Sequence, residues 1–120
     1  MNEKGVADVE RILQLMLSNL EHREQLHVLL KKAHTMVVFS TKEENWHLFL
    51  STSELHTNYT DKGTYRIHLF GSKDSIQQII RGEASIRQLQ KLNKIQVQGN
   101  YRQVLLIEAI FLLSRSQQVV

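Results

Sequence analysis

Hydrophobic and polar residues recur with two different periods along this chain. Over residues 6–33 the apolar positions repeat every three to four residues, which predicts one long N-terminal helix with a break, or two helices in series. Over residues 35–70 the period shortens to two, which predicts three or four strands in meander order. The helical period returns over 74–92 and 101–115, and a short strand at 94–98 separates these two regions.

Three polar pairs predict where the later helices begin. Each pair has a capping side chain followed three residues later by glutamine. The pairs are Asp74 with Gln77, Ser85 with Gln88, and Asn100 with Gln103. Gly82 follows the apolar stripe of the first of these helices, so it predicts a C-terminal cap there.

The grouping of strands and helices predicts the fold class. After the N-terminal helical region, three or four strands come together and are followed mainly by helices, which favours an α+β fold over a parallel βαβ sheet. We expect one domain over residues 1–120, with a single, mostly antiparallel sheet of about five strands covered on one face by helices. A chain of 120 residues is long enough for one hydrophobic core.

The segment at 104–113 is apolar on every side except at Glu108. A surface helix needs only one apolar stripe, so this segment requires enclosure by protein, by a partner or by a hydrophobic ligand. Glu108 has two interpretations. It is a surface acid near Arg102 or Arg115, or it is buried, paired or protonated, and able to hydrogen-bond a ligand hydroxyl.

Composition narrows the class of protein. The chain is 42% hydrophobic and 22% charged, as in soluble globular proteins, and it has no cysteine. Its start lacks the apolar core of a signal peptide, and its longest apolar run is half of the roughly 20 residues that span a bilayer. We therefore expect a cytoplasmic protein.

Charge is distributed unevenly between the two halves. Residues 1–70 carry eight Lys or Arg against nine Asp or Glu, whereas residues 71–120 carry seven against three. This excess of positive charge is either a solvated face or a mildly basic rim for an anionic head group, a fatty carboxylate or transient contact with an acidic membrane surface. The basic residues are too dispersed to indicate nucleic-acid binding.

No pattern in the sequence indicates catalysis. His22 and His27 are five residues apart, off the same-face spacing of a helical metal site, and His47 and His68 lie on the polar phase of predicted strands. The sequence has no G-x-S-x-G motif, and its five glycines are isolated. We expect no enzyme activity, no cofactor and no metal.

Two segments have a distinctive order of elements. In residues 67–83 a strand leads through Gly-Ser into a helix that ends at glycine, and in residues 95–100 a strand ends at glycine before the apolar last helix. This order resembles that of the sterol carrier protein family. The resemblance implies a sheet whose helix-covered face encloses an apolar tunnel for a hydrophobic small molecule, with no catalytic residues. The wall positions it suggests are Val38, Leu48, Leu50, Ile67, Leu69, Ile76, Ile80, Val97, Ile107 and Phe111, with Glu108 as a polar contact.

Two functions follow as hypotheses. The first is a non-enzymatic binder or carrier of a lipid, fatty acid, sterol-like molecule or acyl conjugate, held between sheet and helices. The alternative is a protein–protein interaction module of the same fold, with a closed pocket and the apolar last helix in a homodimer interface.

Overall fold

The computed structural model describes residues 3–52, 54–62 and 65–116, and the predicted domain's ends at 1–2 and 117–120 lie outside this range. The helices are α1 (Glu3–Glu21), α2 (Glu24–Ala33), α3 (Lys73–Ile80), α4 (Ile86–Lys91) and α5 (Tyr101–Ser116). The strands are β1 (Thr35–Ser40), β2 (Asn45–Leu50), β3 (Leu55–His56), β4 (Tyr65–Gly71) and β5 (Ile95–Gln98).

The strands form one sheet in the order β3-β2-β1-β4-β5. β1 pairs in parallel with β4, and the other neighbours are antiparallel. The helices pack against one face of this sheet. The structure confirms the predicted α+β fold with a mostly antiparallel, five-stranded sheet. The predicted meander order is wrong at β4, which pairs in parallel with β1 and not with the preceding strand β3.

The N-terminal helical region is two helices in series. α1 ends at Glu21, and α2 begins at Glu24 after a turn in which the Arg23 amide donates to the Leu20 carbonyl at 3.2 Å. The Arg23 side chain is buried, and its Nη1 donates to the Leu113 carbonyl near the end of α5 at 2.9 Å. The turn between α1 and α2 is therefore anchored to the C-terminal part of α5.

The start of α3 corrects one predicted cap. Ser72, not Asp74, is the N-cap residue, and its hydroxyl accepts from the Ser75 amide at 3.1 Å. Asp74 already lies inside the first turn, where its carboxylate accepts from the Gln78 side chain at 3.0 Å. The caps at Ser85 and Asn100 are confirmed, because their side chains accept from the amides of Gln88 and Gln103, at 3.0 Å and 3.3 Å.

The hydrophobic core lies between the sheet and the helices, and it corrects the predicted phase of β1. Val37 and Phe39 point into the core, whereas Val38 pairs with His47 and His68 on the opposite face. β1 is the central strand, and its four successive positions 36–39 are all apolar. Alternation of polar and apolar residues therefore could not distinguish its two faces. In β2 and β4 the predicted phase agrees with the structure: Leu48 and Ile67 face the core.

Candidate functional site

The apolar helix α5 is enclosed mainly by the protein itself. Val104, Ile107, Ile110 and Phe111 are 3% exposed or less and belong to the core, and the Phe111 ring lies 6.3 Å from that of Phe39. The enclosure stops near the end of the helix, where the two leucines at 112–113 are 38% and 43% exposed.

Glu108 is buried and paired. Its Oε1 accepts from the backbone amide of Arg87 at 3.0 Å, and its Oε2 accepts from Arg87 Nε and Nη2 at 3.1 Å and 2.9 Å. The hydrogen bond and the negative charge of Glu108 raise the pKa of the Arg87 guanidinium. The partner is thus neither Arg102 nor Arg115, and the carboxylate joins α5 to the first turn of α4.

Most of the predicted wall residues meet in one place, as members of the core. Val97 is partly buried against this cluster, and Val38 lies on the other face of the sheet. The remaining apolar positions are 2% exposed or less: Leu48, Leu50, Ile67, Leu69, Ile76, Ile80, Ile107 and Phe111. Apart from Ile80, which borders a groove, these side chains contact one another and leave almost no water-sized space at their surfaces, so a ligand among them would have to displace them.

A groove of about 520 Å3 opens instead between α1, α3 and α5. Its apolar side is formed by Ile12, Leu15 and Met16 of α1 and by Ile80 of α3. Ile80 and Met16 are also core residues, while Leu15 is 57% exposed. The α1–α3–α5 groove therefore borders the hydrophobic core.

The polar side of the α1–α3–α5 groove is mostly basic. Arg11, Arg81 and Arg115 line it together with a single acid, Glu83, and the neutral residues Asn19 and Ser114 complete the lining. Among the acidic side chains that the structure describes, which begin after residue 8, none lies within 4.0 Å of these three guanidinium groups, and the ion pairs involve other residues. Three positive charges and one negative charge give the groove a net positive lining.

Gly82 sets the shape of this groove at the end of α3. Its φ of +74° is left-handed, and its amide and that of Glu83 donate to the carbonyls of Ile79 and Gln78, at 3.0 Å and 2.8 Å, in a Schellman cap. A Cβ atom at Gly82 would lie 2.7 Å from the Cβ of Arg115. The missing side chain thus lets α3 end directly against α5, which places Arg81 and Arg115 at the same groove.

Most residues of the groove were not predicted from the sequence. Ile80 was a predicted wall residue, and Arg115 was named only as a possible basic neighbour of Glu108. The sequence signal that could have indicated the groove is Leu15, an apolar residue that lies beside the apolar stripe of α1. In the structure its side chain is 57% exposed. An exposed leucine adjacent to a buried stripe is compatible with a second apolar contact, but a single such residue is common on protein surfaces.

The described residues contain neither a membrane-spanning helix nor a cluster of metal ligands. In the described parts of the chain, no helix is long and apolar enough to cross a membrane. Among the same residues, no group of three or more His, Asp or Glu side chains could hold a metal ion.

Comparison with solved structures defines the fold class. No protein-family model matches the sequence, and no functionally curated protein matches it. The chain has an SCP-2-like sterol carrier fold: it is similar to apo sterol carrier protein 2 from Yarrowia lipolytica, with 28% identity, a TM-score of 0.64, and coverage of 87% of this chain and 89% of that one.

Two further structures share the fold at lower identity. The UbiJ-SCP2 ubiquinone synthesis protein gives a TM-score of 0.68 at 15% identity, with 89% of this chain and 90% of that one covered. The sterol carrier protein domain 2 of Helicoverpa armigera gives 0.62 at 12% identity, with 88% and 87% covered. The predicted resemblance to the sterol carrier protein fold is confirmed.

Proposed function

We propose that this protein binds and carries a hydrophobic small molecule without transforming it, and that the ligand enters through the α1–α3–α5 groove. The observation that carries this proposal is the groove itself, whose apolar side at Ile12, Leu15, Met16 and Ile80 borders the core. Its volume of about 520 Å3 is within the range of small-molecule sites. The similarity to a sterol carrier protein at 28% identity supports a lipid or sterol-like ligand.

The basic lining favours a ligand with an anionic end. Arg11, Arg81 and Arg115 surround an apolar surface, so an acyl chain would lie on α1 while a carboxylate or phosphate met the guanidinium groups. Each buried methylene would contribute about 0.8 kcal/mol, and the charged end would fix the direction of the chain. The same arginines provide for transient contact with an acidic membrane surface.

The first experiment tests the apolar side of the groove. We expect wild-type protein to bind lauric acid in titration calorimetry, and Leu15→Gln to weaken that binding about tenfold or more, because it removes apolar burial of about 1.5–3 kcal/mol. Val28→Gln is the matched control: Val28 is 61% exposed on α2 and does not line the groove. Equal binding by Leu15→Gln and wild type would contradict the proposed site.

The second experiment tests the charged end of the ligand. Lauric acid, dodecanol and dodecyltrimethylammonium share a twelve-carbon chain and differ in charge, so the basic lining predicts that the acid binds most tightly. Arg81→Gln combined with Arg115→Gln should reduce this preference, and Arg102→Gln, an exposed change outside the groove lining, should preserve it. If the alcohol bound as tightly as the acid, the arginines would have no role in selecting the ligand.

A second candidate is an interaction or homodimerisation module that uses the end of α5. It is supported by the exposure of the adjacent leucines 112–113, which sit on the last apolar turns of that helix. Native mass spectrometry of purified protein separates the two functions: a carrier retains a small molecule, and the alternative gives an empty dimer. In either case we place the protein in the cytoplasm, a location supported by its lack of cysteine.

A further inference from the structure

The second face of the sheet, away from the helices, is covered by a short segment that we call the strap, residues 54–62. Met36 of β1 and Phe49 of β2 point to this face and are 1% and 0% exposed. The strap contains the two-residue strand β3, which pairs with the end of β2. On this face a segment of nine residues therefore buries the apolar side chains, whereas on the other face a layer of helices does so.

The strap holds this surface through individual contacts. The His56 ring stacks on the Phe49 ring with centroids 5.2 Å apart, and His34 meets the same ring edge-on at 5.4 Å. The Thr60 amide donates to the sulfur of Met36 at 3.3 Å. Thr57 of the strap also accepts from the Gln14 side chain of α1 at 3.2 Å. Because individual contacts of this kind hold the strap, a change in one of them can alter how often it opens.

Tyr59 is the contact at the centre of the strap. Its ring meets the His47 imidazole of β2 edge-on at 5.3 Å. The Arg66 guanidinium of β4 lies 5.2 Å from the centre of the same ring, and Arg66 Nη2 also donates to the Tyr59 hydroxyl. Tyr59 thus lies between His47, whose charge depends on pH, and the permanently charged guanidinium of Arg66.

We propose that the strap is a proton-controlled cover of the sheet: it closes while His47 is neutral, and protonation of His47 favours its opening and exposes Met36 and Phe49. In the closed arrangement an imidazolium would be half-buried and would share Tyr59 with the Arg66 guanidinium. In the open arrangement water would solvate the imidazolium. Opening therefore removes the cost of burying its charge and reduces its repulsion by the Arg66 guanidinium.

The charged and titratable groups near His47 come from the strap and from β4. The strap carries Tyr59, which contacts His47, as well as Asp61 and Glu54, the latter paired with His56 and Lys62. β4 presents Arg66 together with His68, which lies across β1 from His47. β1 itself presents the uncharged Val38. His68 is engaged elsewhere, because its Nε2 lies 2.7 Å from the Ser40 hydroxyl. Arg66 is therefore the fixed charge that faces His47.

The direction of the effect follows from proton linkage. Burial, and secondly the charge of Arg66, lower the pKa of His47 from its ordinary 6.5. A closed strap therefore binds the proton more weakly than an open one, and acid shifts the equilibrium toward the open form. Each unit by which the closed form's pKa lies below that of the open form increases opening by up to about tenfold.

His56 does not serve as the trigger, because protonation has opposing effects on it. Its Nδ1 accepts from the Asn58 amide at 3.2 Å, a bond that protonation of Nδ1 would break. Its Nε2 lies 3.4 Å from the Glu54 carboxylate, an interaction that protonation would strengthen. These two contacts respond to a proton in opposite senses, whereas burial and the charge of Arg66 act on His47 in the same direction.

Hydrogen–deuterium exchange at pH 7.5 and pH 5.5 tests this proposal, with rates corrected for the intrinsic effect of pH. We expect faster exchange at the lower pH in the strap alone, while α5 and β1 keep their protection. His47→Gln should abolish the acid-dependent increase. His27→Gln, an exposed change on α2, is the matched control and should behave as wild type.

Three outcomes would overturn the proposal. The first is equal protection of the strap at the two pH values. The second is a parallel loss of protection in the helices, which would indicate global unfolding. The third applies even if His47→Gln does not fold: an NMR titration of the wild-type His47 ring that gives a pKa of 6.5 or above would remove the driving force.

Discussion

The two faces of the sheet are buried by different means. On one face five helices cover a single apolar cluster that includes Phe39, Leu48 and Ile67. On the other face the strap covers Met36 and Phe49 with polar and aromatic side chains. The first face obtains its burial from many interlocking side chains, and the second from a few that are themselves partly exposed to water.

This difference indicates how each face should respond to change. A core formed by many elements cannot relax around a missing side chain, so the lost contacts and the resulting cavity both reduce stability. A short strap has fewer constraints and can move toward the space that a deletion leaves. Matched substitutions on the two faces therefore measure how strongly each cover is fixed.

The largest predicted effect is at Phe111 on the helix-covered face. Phe111→Ala should lower the free energy of unfolding by about 3–5 kcal/mol, because the ring is 1% exposed within the core. Phe49→Ala removes an equally buried ring from the second face, but it should cost less, because His34, His56 and the strap can close around the vacancy. Urea denaturation followed by circular dichroism measures both.

Phe70→Ala is the control for this pair. Phe70 also lies on the second face, but it is 40% exposed, so its loss should change stability by less than about 1 kcal/mol. Equal losses for Phe111→Ala and Phe49→Ala would show that the strap is as rigid a cover as the helix layer, and would contradict the comparison.

The next effect concerns Glu108, the charged residue inside the helix-covered face. Glu108→Ala leaves the Arg87 amide without its acceptor, which should cost about 1–3 kcal/mol. Glu108→Gln should cost less, because an amide oxygen can still accept from that amide. Glu43→Ala, at an exposed position of the β1–β2 turn, should leave the unfolding midpoint unchanged. Equal losses for the Ala and Gln variants would mean that the charge, not the hydrogen bond to the backbone, is important.

The regular elements were predictable because their periods are local properties of the sequence. The alternation through β2 and β4 placed Leu48 and Ile67 on the core face, and Ser85 and Asn100 marked the helix starts. β1 was assigned to the wrong phase at Val38, because a central strand is apolar on both faces and carries no alternation.

The groove and the pairing of Glu108 depend on packing that periodicity does not contain. Arg87 of α4 pairs with Glu108 of α5, and Arg81 and Arg115 line the same groove because Gly82 permits close contact between the end of α3 and α5. The sequence showed that Gly82 ends a helix, but it did not show which helix the chain would then touch. Sites that form between helices distant in sequence require the three-dimensional arrangement.

The smallest predicted effect is a pH dependence that arises on the strap-covered face. The pKa of His47 is lower in the folded protein than the 6.5 of the unfolded chain. The stability that neutral His47 contributes is therefore fully present at pH values above 6.5, and it is lost as the pH falls through the pKa of the folded state. Urea midpoints between pH 5 and pH 8 should therefore decline on the acid side, and the decline should be shallower in His47→Gln than in wild type. His27→Gln should keep the wild-type slope. If His47→Gln kept the full wild-type slope, the acid sensitivity would have to arise from other groups, and the second face of the sheet would be no more responsive to protons than the first.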